Sequence, residues 1–131
     1  MAAGIREMFG EQICYSYYDG SAESALAAVQ DLSAHATDNG PFDVVLGFFL
    51  GATLAATLLL RDTNNGLYNF DRGPNQSETF KCAILVCGTL PCDWYELMQR
   101  NMKVLNSGHV KPPVRIPTVH IWSPEDTSYP G

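Results

Sequence analysis

Two glycines, Gly47 and Gly51, frame three residues between an apolar run and a segment rich in alanine and leucine. This spacing is typical of a sharp turn from a strand into a helix, because small residues let the two backbones approach closely. In enzymes with a serine nucleophile, such a turn lifts the hydroxyl above the sheet edge and directs the helix N-terminus at the developing oxyanion. The central residue here is Phe49, which has no nucleophilic or ionisable atom. We therefore predict that the turn forms but that covalent serine chemistry does not occur there.

The other candidate reactive side chains lack partners at a useful spacing. Of the histidines, His35 is expected on the exposed side of a helix, His109 in a loop and His120 as a structural residue within a strand. Cys87 ends an apolar run and is a candidate substitute nucleophile, although a buried, inert thiol is the simpler interpretation. Ser123 lies in a turn with no glycine-framed bend around it. None of these residues is predicted to carry the chemistry.

Helices and apolar strands alternate along the chain, and they are the elements that would position this turn. Ser21 is a typical N-cap residue, and apolar residues at spacings of three and four predict a helix that ends at Asn39-Gly40-Pro41. A strand buried on both faces is predicted for residues 42–48, a second buried strand for 80–87 and a third strand for 116–122. Helices are predicted at 52–61 and within 91–106, and loops at 61–79 and 107–115. This order predicts one α/β domain over residues 1–131, with a doubly wound, mostly parallel sheet and helices on both faces.

The uncharged run at residues 44–60 has a second interpretation, which is a membrane helix. The Gly47 and Gly51 spacing also suits helix association in a bilayer. The run lies at the short end of the ~17–25 residues that a crossing needs, and no positive cluster flanks it. Strand, turn and helix is therefore the favoured interpretation.

Composition limits the classes of partner. The net charge is −6 and no basic run is present, which argues against nucleic acid or an anionic membrane surface. The first ten residues lack the apolar core of a signal peptide, so we predict a cytoplasmic protein with reduced cysteines. The four cysteines and three histidines show no paired ligand spacing, and we predict neither a metal site nor a cofactor.

Residues 40–55, GPFDVVLGFFLGATLA, resemble the pattern GPFDGVLGFSQGAxLA of the FSH-type serine hydrolases. This family is abundant in fungi and related to the ovarian-cancer-gene-2 proteins. The segments YSYYDG, FKCAILVCG and IPTVHIWSPED also resemble family segments in family order, so the likeness covers roughly residues 15–126. It implies a partial α/β-hydrolase-like fold and a relation to esterases or thioesterases that process polyketide intermediates.

The same resemblance assigns site residues and shows where this chain departs from them. Phe49 stands at the nucleophile position, Leu50 replaces the glutamine whose backbone N–H faces the oxyanion, and Asp126 matches the triad acid. The family's N-terminal strand with its His-Gly loop has no counterpart before Met1, and the segment with the catalytic histidine would follow Gly131. We therefore expect a truncated hydrolase-like domain that is inactive by the serine route.

Three functional interpretations stay open. The first is a protein of fungal secondary metabolism that has lost serine chemistry. The second is a non-covalent enzyme, such as a cyclase whose pocket guides an acyl or polyketide-type molecule; here Trp94, Met98 and Met102 either line an apolar pocket or belong to the core. The third is a non-catalytic binding or scaffolding protein. Unpaired strands also predict a homo-oligomer formed through exposed sheet edges.

Overall fold

Three parallel strands and three helices make up the part of the chain that this computed structural model describes, which is residues 15–68, 80–105 and 114–125. In chain order they are α1 (Ala22–Asn39), β1 (Val44–Phe48), α2 (Leu50–Tyr68), β2 (Cys82–Val86), α3 (Trp94–Met98) and β3 (Thr118–Ile121). The strands are ordered β1-β2-β3, and both neighbouring pairs are parallel. The predicted α/β class with a parallel sheet is confirmed.

Helix α1 begins and ends where its sequence signals predict. The Ser21 hydroxyl accepts a hydrogen bond from the Ser24 N–H at 3.2 Å, which satisfies one amide of the first turn. The helix ends at Asn39, before Gly40 and Pro41. Because proline has no N–H and a fixed φ, it cannot continue the helical hydrogen bonding.

The core lies between α2 and one face of the sheet. Val45, Ala83 and Leu85 point from β1 and β2 to the same side and are buried against the apolar side chains of α2. Helices α1 and α3 pack on α2 and not on the strands. The strand–turn–helix interpretation of residues 44–60 is therefore confirmed, and no helix in the described ranges has both the length and the apolar character that a bilayer crossing requires.

The prediction that the first strand is buried on both faces is wrong. In β1, Val45 and Gly47 are buried, whereas Val44, Leu46 and Phe48 are exposed. Side chains alternate between the two faces of a strand. Among the described residues the helices lie on the Val45 side, so the continuous apolar run does not correspond to burial on both sides.

The helix boundaries differ from prediction after the turn. Helix α2 starts at Leu50 and continues to Tyr68, whereas residues 61–68 were predicted to begin a loop. At Arg61, where the predicted helix ends, the guanidinium donates to the Ser33 hydroxyl at 2.9 Å and lies 5.3 Å from the centre of the Trp94 ring. Helix α3 is shorter than predicted and covers only Trp94–Met98.

Candidate functional site

The turn after β1 has the backbone geometry that the two-glycine pattern predicts. Phe49 adopts a left-handed conformation with φ at 54°, which costs an L-residue other than glycine roughly 1–2 kcal/mol. Its N–H donates to the Val86 carbonyl of the neighbouring strand at 2.9 Å, and its carbonyl accepts from the Ala52 N–H at 3.1 Å. The turn is thus tied to the sheet on one side and to α2 on the other. It places residue 49 at the carboxyl edge of the sheet.

The two glycines of the turn differ in what surrounds them. A Cβ on Gly47 would lie 2.5 Å from the Ala52 Cα and 2.6 Å from the Gly51 carbonyl oxygen. A Cβ on Gly51 would meet only the Tyr17 ring, at 3.5 Å, which is an ordinary contact. The close approach of strand and helix therefore requires a glycine at 47 but not at 51.

Two phenyl rings are exposed at the turn. Phe49 is 39% exposed and Phe48 is 63% exposed, with ring centroids 6.5 Å apart and tilted by 39°. Leu50, at the predicted oxyanion position, is the first residue of α2, and first-turn amides of a helix have no acceptor within the helix. The edge therefore combines a helix N-terminus with an aromatic surface and presents no hydroxyl at position 49.

Tyr17 also belongs to this edge, and the sequence did not indicate it. Its ring lies beside Gly51, and Tyr17 itself is largely exposed. The sequence shows a cluster of tyrosines before Asp19-Gly20, but such a cluster does not indicate which residue each ring contacts.

Hydrogen bonds from Ser24 and Ser21 lower the pKa of Asp19 to about 2, which keeps this exposed carboxylate charged as it anchors the start of α1.

Cys87 lies at the same edge, directly after β2. Val86 is in register with Phe48, so residues 49 and 87 follow the ends of adjacent strands. Cys87 is half-buried with φ at 49°, and its N–H donates to the Ile121 carbonyl at 2.8 Å. Within the described ranges there is no cluster of three or more His, Cys, Asp or Glu side chains around it or elsewhere that could hold a metal. Cys82, Cys87 and Cys92 carry free thiols, of which Cys92 is buried and the other two are half-buried; Cys14 lies outside the described residues.

The loop after β2 is held against α2 by buried threonine hydroxyls. The Thr53 and Thr89 hydroxyl oxygens are 2.6 Å apart, and the Thr57 hydroxyl accepts from the Cys92 N–H at 3.0 Å while donating to the Thr53 carbonyl at 2.8 Å. Burial raises the pKa of the Cys92 thiol. These bonds fix the loop that flanks the turn.

Replacing Thr57 by valine is expected to lower the free energy of unfolding by about 2 kcal/mol, because the buried Cys92 N–H loses its acceptor. Thr57→Ser keeps the hydroxyl and removes one methyl group, so its expected cost is only about 1 kcal/mol. Urea unfolding followed by circular dichroism measures both. Equal losses in the two variants would show that packing, and not the hydrogen bond, holds the loop.

The remaining predicted residues do not gather at the turn. His120 lies within β3 as predicted but is exposed, and its Nε2 is 3.3 Å from the Thr118 hydroxyl. His35 is exposed on α1 and stacks on the Phe42 ring. The Ser123 hydroxyl accepts a bond from the Glu125 N–H at 3.3 Å. Asp126, the predicted triad acid, and His109 lie outside the described residues.

Trp94, Met98 and Met102, the candidates for a pocket or a core, differ in how deeply they are buried. Trp94 is half-buried and packs against both apolar clusters of the interior. Met98 and Met102 are exposed, and Met102 approaches the Cys92 sulfur at 3.6 Å. Core packing is therefore the better interpretation for Trp94, and neither methionine is a core residue.

A parallel sheet whose first strand turns sharply into a buried helix, through a residue with positive φ at the sheet edge, defines a partial α/β-hydrolase-like protein. The family model for FSH1 serine hydrolases matches residues 10–131. The chain belongs to the FSH1 serine hydrolase family.

Two curated fungal proteins are similar to this chain. Esterase FPY3 of Fusarium mangiferae is 35% identical over 127 residues, which make up 95% of this chain and 54% of that protein. Hydrolase phiM of Fungal sp. (strain ATCC 74256) is 29% identical over 107 residues, covering 82% of this chain and 47% of that protein. The chain therefore spans about half the length of these relatives. No solved structure matches it.

Proposed function

We propose that this hydrolase-family chain does not hydrolyse esters by the serine route and instead binds an acyl or polyketide-type small molecule at the turn, as a non-catalytic binding protein of fungal secondary metabolism. The observation that carries the proposal is Phe49: its backbone keeps the left-handed geometry of a nucleophile turn, and its side chain is a phenyl ring. The backbone needed for the chemistry is present, and the attacking atom is not.

The loss of the attacking atom is decisive for a covalent mechanism. A hydroxyl or thiol must add to the acyl carbon, and a phenyl ring has no lone pair to do so. The phenyl ring of Phe49 therefore closes the covalent route at this turn and adds apolar surface for binding.

The exposed surface at the turn supports an apolar ligand. Phe48, Phe49 and Tyr17 expose aromatic rings close to the start of α2. Aromatic rings bury large apolar areas and stack on planar groups. The names of the two relatives, an esterase and a hydrolase, support an ester or acyl compound as the ligand class.

The test is labelling of the purified chain with a fluorophosphonate probe, together with p-nitrophenyl ester hydrolysis. We expect no labelling above that of the heat-denatured protein and no ester turnover above buffer, with an active serine esterase as the positive control. Stoichiometric labelling of the wild-type chain, mapped by mass spectrometry to any residue near the turn, would refute the proposal.

The proposed binding of an acyl compound is tested separately, by calorimetry. Calorimetric titration with a non-hydrolysable decanoyl amide is expected to show saturable binding that Phe49→Ala weakens. Phe42→Ala is the matched control, because Phe42 is also a phenylalanine with 39% exposure and lies before the start of β1, at the opposite end of the strand from Phe49. Equal affinity in both variants would place the ligand elsewhere.

A second candidate is a non-covalent enzyme, and the position of α2 favours it. The helix starts at Leu50, directly after the turn, so its N-terminal partial positive charge faces the same edge. Such a terminus stabilises an anion that develops during a cyclisation or acyl transfer. Saturable turnover of an acyl substrate that fluorophosphonate leaves unchanged would distinguish this candidate from the binding protein.

A further inference from the structure

Two threonine hydroxyls meet between the loop after β2 and the first turns of α2. The Oγ1 atoms of Thr53 and Thr89 are 2.6 Å apart, so one hydroxyl donates its proton to the other. Thr53 lies on α2 and is 2% exposed, whereas Thr89 lies in the loop and is half-buried. What this pair can do depends on which of the two hydroxyls is the donor.

The burial of Thr53 decides the direction of the bond. A buried hydroxyl whose proton finds no acceptor destabilises the folded chain, so buried hydroxyls are almost always donors in a hydrogen bond. In the part of the chain that the structure describes, the Thr53 hydroxyl has the Thr89 oxygen as its partner and no second one. We therefore take Thr53 as the donor and Thr89 as the acceptor.

This direction leaves the proton of Thr89 available. A hydroxyl has one proton and two lone pairs, so Thr89 can accept from Thr53 and donate to another group at the same time. Among the described residues no acceptor for the Thr89 proton is present. Water or a ligand must accept it. Thr89 is thus a hydrogen-bond donor whose oxygen is held in place by a buried neighbour.

This donor lies beside the turn at Phe49. The Thr53 backbone N–H donates to the Phe49 carbonyl at 3.3 Å, while the Thr53 side chain bonds Thr89. The loop also lies close against the first turn of α2, because a Cβ on Gly88 would be 2.7 Å from the Ala52 Cβ. Thr89 therefore belongs to the same carboxyl edge of the sheet as the exposed aromatic rings.

We propose that Thr89 makes the turn selective for ligands that carry a carbonyl group, by donating its hydroxyl proton to the carbonyl oxygen. This inference rests on the proposed binding of an acyl compound at the turn. The rings of Phe48 and Phe49 offer apolar contact to such a compound but contain no donor. A carbonyl oxygen that leaves water loses its hydrogen bonds unless a donor on the protein replaces them. Thr89 supplies that donor.

The direction of the bond is tested without any ligand, by urea unfolding followed by circular dichroism. Thr89→Val leaves the buried Thr53 proton without an acceptor, whereas Thr53→Val removes that proton together with its oxygen. We expect the urea midpoint to fall further in Thr89→Val, although Thr53 is the more buried residue. The double variant Thr53→Val/Thr89→Val is expected to lie close to Thr53→Val. Equal midpoints in the two single variants, or the lower midpoint in Thr53→Val, would overturn the inference.

The selectivity is tested with methyl nonyl ketone and with the alkene in which a methylene group replaces the ketone oxygen. Equilibrium dialysis, with the free ligand measured by gas chromatography, gives the affinity for each. The wild-type chain is expected to bind the ketone about tenfold more tightly, which is the ratio that one hydrogen bond gives. In Thr53→Val/Thr89→Val, which removes both partners and so keeps the fold, we expect this preference to disappear. Thr89→Ser retains the hydroxyl and is expected to retain the preference.

Thr37→Val is the matched control, because Thr37 is an exposed threonine on α1 whose hydroxyl bonds the Ser33 carbonyl within the same helix. Its preference for the ketone is expected to equal that of the wild-type chain. Ketone binding that Phe49→Ala weakens, with a preference that survives in Thr53→Val/Thr89→Val, would refute the role of Thr89 and leave the proposed binding at the turn intact. A wild-type chain that binds neither compound would refute the proposed function, and this inference with it.

Discussion

Replacing Gly47 by alanine is expected to lower the free energy of unfolding by about 3 kcal/mol. The added methyl group would lie 2.5 Å from the Ala52 Cα and 2.6 Å from both the Ala52 nitrogen and the Gly51 oxygen. All three atoms belong to the backbone of α2, so no side-chain rotation relieves the clash. Strand and helix must separate, and the core between Val45 and α2 opens with them.

Gly51→Ala is the matched control for this prediction, because it adds the same methyl group to the other glycine of the turn. Its Cβ meets the Tyr17 ring at an ordinary 3.5 Å, and alanine is the better helix former by up to about 1 kcal/mol. We expect unchanged or slightly increased stability. Urea unfolding by circular dichroism compares the two variants, and similar losses in both would show that the glycine spacing does not reflect this backbone approach.

The contrast between the two glycines shows how far the sequence predicts this fold. Local signals were sufficient where local geometry decides the structure: Ser21 begins α1, and the turn at Phe49 joins β1 to α2. They did not give the end of α2, which was predicted at Arg61 and lies at Tyr68. They also did not show that the Arg61 side chain bonds Ser33 and lies over the Trp94 ring, because both partners are distant in sequence.

The burial of β1 on one side only illustrates a second limit. An uncharged, β-branched run predicts a strand, but it does not report which of its faces is covered. Val45 and Leu46 are both apolar, yet only Val45 is buried. The difference depends on which side α2 packs, and that follows from the turn geometry at residue 49, not from the strand itself.

The candidate site was predictable in its central residue and not in its surroundings. The place of Phe49 in the turn follows from the glycine spacing together with the apolar strand before it and the helix after it. Tyr17, Thr53 and Thr89 come from three separate segments, so only the folded chain brings them to the turn and its flanking loop. Side chains from different segments meet at no fixed separation in sequence, so no sequence pattern predicts their contact.

Leu58→Ala is expected to lower the free energy of unfolding by about 3 kcal/mol, because it creates a cavity in the core between α2 and the sheet. Leu58 is fully buried on α2, within the cluster that includes Phe80 and Ala83. The substitution removes apolar contacts and leaves a cavity, because the surrounding strands are fixed by their hydrogen bonds and cannot collapse fully.

Leu90→Ala removes the same atoms from a residue that is 52% exposed, so its expected cost is below about 1 kcal/mol. Thermal and urea unfolding measure both variants. Comparable losses for Leu58 and Leu90 would mean that α2 is not firmly packed on the sheet. The turn at Phe49 would then lack the rigid support on which its backbone geometry depends, because a strained φ persists only where the surrounding structure holds it.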